Sequence, residues 1–132
     1  MRGIAITAFA VALAGCATQP PAPTRSAEAQ AELNKLIAGK TAGTPITCLQ
    51  HYRANDMVRI DDSTVAFKQG RQVYVNHLIG ACSNLESGFY ALVTRSNGTG
   101  LCRGDIAHVQ DVSTGAIVGS CAIGDFVPYA PS

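Results

Sequence analysis

The sequence has no tryptophan, and charged residues make up only 14% of it, against ~25% in an average soluble protein. Aromatic residues reach 6%, too few to build the stacking platforms that hold sugars or single strands. Neither sign of charge dominates. The formal net charge is +1, and discounting Arg2 leaves nine basic residues against nine acidic ones. A neutral chain without a basic run cannot draw on phosphate-backbone attraction, which excludes nucleic acid as the principal partner. There is no Cys-x-x-Cys pair and no G-x-S-x-G elbow. No apolar run approaches the ~20 residues of a membrane-spanning helix. At 132 residues, the chain has room for one folded domain.

What is present begins with Met1-Arg2 and an apolar run of ten at residues 4–13. A charged start, a short apolar core and small residues behind it read as an export signal over residues 1–15. The segment Leu13-Ala14-Gly15-Cys16 resembles the bacterial lipobox, in which the Cys thiol takes a diacylglycerol and becomes the new N-terminus. Small residues at 14 and 15 admit the peptidase, and the Cys sulfur carries the thioether. Cys16 is therefore the expected lipidation site and the lipid bilayer the expected partner. Several acyl chains on one residue hold a protein far better than one does. Ala17 after it favours the outer membrane, facing the periplasm, by resemblance to enterobacterial sorting. Residues 17–25 carry three prolines and no periodicity, so residues 16–25 form an anchor and an extended tether.

Ser26 suits a helix N-cap, Leu33, Leu36 and Ile37 fall at helical spacing, and Gly39 can close the helix, which places one short helix over 26–39. From about residue 45 the pattern changes to short β-type runs broken by turns. Strands are expected at 46–52, 57–60, 64–68, 72–78, 88–95, 106–112 and 116–123, with 126–129 as a last short strand whose Pro128 suits a sheet edge. The fold class is mainly β. Six to seven short strands over 45–132 predict a small antiparallel barrel or sandwich, OB- or SH3-like, preceded by the helix.

With Cys16 assigned to lipid, Cys48, Cys82, Cys102 and Cys121 remain. An even number in a small exported domain reads as two disulfides. Three connectivities are possible. Bracketing of the 88–95 strand favours Cys82 with Cys102, and tying the first strand to the last favours Cys48 with Cys121. A metal site using His51, His77 and His108 is the rival reading, but the spacing lacks a zinc signature, so no metal or other cofactor is expected.

Several pieces, above all Cys102-Arg103-Gly104-Asp105-Ile106, Gly124-Asp125-Phe126-Val127-Pro128-Tyr129 and the four Cys positions, resemble a family of small exported proteobacterial proteins classed as a domain of unknown function. The likeness runs from about residue 41 to 129. It implies a cell-envelope location and a Cys-stapled domain, and it supplies no catalytic residues. Each of the two Gly-Asp turns follows a Cys and precedes an apolar pair. They read as strand-entry turns, or as a polar binding spot made by Arg103, Asp105 and Asp125. Asp61-Asp62 sits in a turn signal and reads as solvated rather than catalytic. The expected function is a non-enzymatic, membrane-anchored envelope lipoprotein that binds an envelope protein or has a structural role. The alternative is a small-ligand or metal-binding module using the His residues and Gly-Asp turns.

Overall fold

The computed structural model describes residues 25–50, 56–96, 98 and 100–132. The expected leader, Cys16, most of the expected tether and His51 lie outside the described residues. Within them the chain forms one helix, α1 (Ala27–Ile37), and ten strands: β1 (Lys40–Ala42), β2 (Cys48–Leu49), β3 (Met57–Asp61), β4 (Thr64–Gln69), β5 (Gln72–His77), β6 (Ala91–Thr94), β7 (Leu101–Cys102), β8 (Ile106–Gln110), β9 (Ile117–Ala122) and β10 (Phe126–Pro131). Every paired strand is antiparallel.

The strands make three separate sheets: β1-β10-β5-β4-β3, β2-β7 and β6-β8-β9. No sheet closes on itself, so the expected barrel, OB- or SH3-like, is not formed. The reason lies in α1. Ser26 caps it, its Oγ accepting from the Ala29 amide at 3.1 Å. Ala29 and Leu33 then pack on one face of the five-stranded sheet, against Ile60, Ala66, Val73 and Val75. The other face carries Val65, Phe67 and Phe126, which meet Leu101, Ala107, Val109 and Ile123 from the smaller sheets and their turns. Phe67 and Phe126 stack tilted, 5.9 Å between ring centroids. A sheet covered on both faces has no need to curl round its own core, and its inner strand β4, between β5 and β3, is buried continuously from Thr64 to Phe67.

The β4–β5 hairpin turns at Gly70, whose φ of +61° suits glycine. The strand expected over 88–95 shrinks to Ala91–Thr94, because Gly88 takes φ +76° and Phe89 stands 84% exposed. β10 is not an edge strand: β5 flanks it on one side and β1 on the other. Pro128 is tolerated there because its carbonyl accepts from Gly43 N at 2.7 Å, just beyond the end of β1. In an antiparallel ladder a residue's N and O point to the same side. The missing N–H of Pro128 thus faces a place where the neighbouring chain has already left the ladder.

Both disulfides form, but with a different connectivity from the one expected. Cys48 is bonded to Cys102 and Cys82 to Cys121. Cys48 and Cys102 face each other directly in the β2–β7 ladder, with Cα atoms 4.0 Å apart. Cys82 follows β5 and is brought to β9 by the reciprocal backbone hydrogen bonds between Ile79 and Ala122. The expected pairs fail because β2 lies beside β7 and not beside β9.

Candidate functional site

Two of the three residues of the expected polar spot come together. Arg103 and Asp105 belong to the turn after β7, where Arg103 N donates to Thr47 O (2.7 Å) and Gly104 N to Ile123 O (2.8 Å). Asp105 does not join the spot: its Oδ2 accepts from Cys102 N at 2.8 Å, closing its own turn. Asp125 lies in the turn between β9 and β10, and its Oδ2 accepts from Arg103 Nη1 at 2.7 Å. The other oxygen, Oδ1, is buried without a hydrogen-bond partner among the described residues.

The position of Asp125 is set by Asn76, fully buried on β5. Asn76 Nδ2 donates to Gly124 O at 2.8 Å, and Gly124 N donates back to Asn76 Oδ1 at 3.0 Å. A Cβ on Gly124 would collide with the His77 carbonyl oxygen, so only glycine allows this approach. The result is a cleft of about 330 Å³ in which Arg103, Asp125 and His77 are the polar groups and Pro45, Ile79 and Val127 the apolar walls. Burial holds the His77 imidazole below its ordinary pKa, helped by the Arg25 charge and opposed by Asp61.

The other singled-out residues have structural partners. His108 Nδ1 lies 2.7 Å from Ser120 Oγ across β8 and β9. Asp61 Oδ2 accepts from Arg25 Nε at 2.7 Å, while its Oδ1 accepts from Ser63 N. Asp62 Oδ1 accepts from Glu86 N at 2.7 Å. Burial pushes the Asp61 carboxyl up, but the hydrogen bonds from Arg25 and Ser63 and the Arg25 charge outweigh it and hold the group below its usual range. All four cysteine sulfurs are in disulfides and cannot ligate metal as thiolates. No cluster of three potential metal ligands occurs among the described residues. A larger groove, of about 530 Å³, lies where the end of α1 meets the β4–β5 turn. Its basic residues were not singled out in the sequence, because they are spread over 35–71 and carry no motif.

A family model, that of DUF6491, matches residues 1–130, nearly the whole chain. The chain belongs to DUF6491, a family of unknown function. No curated protein and no solved structure matches it. Membership in DUF6491 agrees with the resemblance carried by the cysteines and the two Gly-Asp segments, and it assigns no chemistry to Arg103, Asp125 or His77.

Proposed function

We propose that this DUF6491 protein is a lipid-anchored, disulfide-cross-linked module of the cell envelope that acts by binding rather than by catalysis. The observation that carries the reading is the pairing of every cysteine other than the one in the lipobox-like segment. Structural disulfides belong to an oxidising compartment, and an export leader ending at a lipid-modified Cys16 delivers the chain to one. The Pro-rich tether then holds the domain off the bilayer, the outer membrane by the Ala17 rule, where it meets an envelope protein or ligand.

Intact-mass measurement of the exported protein, before and after reduction, tests this. The expected species starts at an acylated Cys16 and gains four hydrogens on reduction, two for each disulfide. Cys16→Ser should leave the protein in the soluble fraction. Retention of residues 1–15 with an unmodified Cys16, or free thiols in the exported protein, would overturn the proposal.

A second reading, a small-ligand site at the Arg103–Asp125 cleft, is favoured by the buried Asp125 Oδ1 that lacks a donor. An N–H group of a ligand would satisfy it.

A further inference from the structure

Four of the eight Lys and Arg side chains among the described residues gather at one end of the molecule. Lys35 is in the last turn of α1, Lys40 opens β1, Lys68 is near the end of β4 and Arg71 sits in the β4–β5 turn. All four line the 530 Å³ groove, whose apolar part is Leu36, Val58 and Val73. Elsewhere Arg25 and Arg103 are each matched by an aspartate at 2.7 Å. The groove cations form no ion pair among the described residues. One carboxylate, Glu32, reaches the groove. Glu32 and the negative end of the α1 dipole, about half a charge, leave an excess of roughly two to three positive charges. The opposite end of the sheet carries Asp61, Asp62 and Glu86 around a smaller cleft. The near-zero net charge therefore conceals a segregated charge distribution.

We infer that this groove binds an amphiphilic phosphate ester, with the phosphate among Lys35, Lys40, Lys68 and Arg71 and the apolar portion on Leu36, Val58 and Val73. A phosphate monoester carries about −1.5 to −2 charge and three acceptor oxygens. That matches the excess in the groove, whereas a carboxylate is satisfied by a single arginine fork. The shared chemistry is a phosphate ester, from a lipid headgroup or a free metabolite. The inference goes beyond the anchoring proposal and does not depend on lipid at Cys16.

The test uses the exported chain carrying Cys16→Ser, titrated by NMR with dihexanoyl phosphatidic acid below its micelle concentration. Glycerol 3-phosphate and dihexanoyl phosphatidylcholine run beside it. Phosphatidic acid should bind, shift the amides of 35–40 and 68–73, and weaken as salt is added. Lys68 and Arg71 are exposed, so Lys68→Gln with Arg71→Gln keeps the fold and should weaken binding about thirtyfold, from about one kcal/mol per basic residue. Glu32→Gln should tighten it, by about fivefold on the same scale. Tighter binding of phosphatidic acid than of glycerol 3-phosphate supports the apolar contact with Leu36, Val58 and Val73, and equal or weaker binding overturns the amphiphilic assignment. The inference is overturned if neither ester binds, if phosphatidylcholine binds as tightly as phosphatidic acid, or if the double variant binds unchanged.

Discussion

Removing the two disulfides one at a time separates chain entropy from packing. Cys48–Cys102 closes a separation of 54 residues and Cys82–Cys121 one of 39. On the chain-entropy model these give about 4.2 and 3.9 kcal/mol, nearly the same, because the dependence on loop length is logarithmic. Their surroundings differ. Cys48 and Cys102 are half-buried on the short β2–β7 ribbon. Cys82 is fully buried and Cys121 is 8% exposed, and both belong to the cluster between the sheets. Replacing this second pair with alanine also empties core volume, at about 1 kcal/mol for each methyl-sized void. Cys82→Ala/Cys121→Ala should therefore cost about 5–6 kcal/mol and Cys48→Ala/Cys102→Ala about 4. Urea unfolding of the two double variants, each with the other bridge intact, reads the difference as a shift in midpoint at similar slope. A larger loss from the Cys48/Cys102 variant would refute the reasoning. A peptide map linking Cys48 to Cys121 would refute the connectivity itself.

Other substitutions have equally direct outcomes. Asn76→Ala strands both backbone groups of the buried Gly124 and should cost about 3 kcal/mol in urea unfolding, within the range for unmet buried hydrogen-bonding groups. Gly124→Ala should cost about 3 kcal/mol through overpacking against the His77 carbonyl. Arg103→Ala breaks an exposed ion pair and should change stability by less than about 1 kcal/mol. Asp61 has a depressed pKa in the folded state, so its stabilising effect is present above the unfolded carboxylate value and lost as pH falls through the folded one. Arg25→Gln should flatten the acid limb of a stability–pH profile below pH about 4. His77 is also depressed, so the unfolded chain takes up its proton first and stability declines as pH falls through about 6.5. His77→Gln should remove that decline.

Local chemistry was legible in the sequence and neighbourhood was not. The Gly70 hairpin could be read because turn and strands are contiguous, and Ser26 because a cap acts within three residues. Residues 88–90 misled because Phe89 and Tyr90 extend an apolar run that Gly88 in fact bends away. Pro128 pointed to an edge, and only the departure of the chain at Gly43 explains its place between β1 and β5. The cysteine partners depend on which strands lie side by side, a choice made by long-range packing. The same holds for the candidate site: Arg103 and Asp125 were visible as members of similar turns, but Asn76 and His77 join them from β5, 26 to 49 residues earlier in the chain. The basic groove left no local trace, because its four cations arrive from separate elements.

The order of the bridges along the chain has a topological consequence. Cys82 lies inside the segment closed by Cys48 and Cys102, and Cys121 lies outside it. The two covalent rings therefore overlap between residues 82 and 102. A protease that cuts one peptide bond anywhere between Cys48 and Cys121 opens a ring but releases no fragment. Pairing each cysteine with its nearest neighbour in sequence would have left the 82–102 segment as a single severable link. As built, a nicked molecule remains one covalent body from β2 to β9 until its disulfides are reduced.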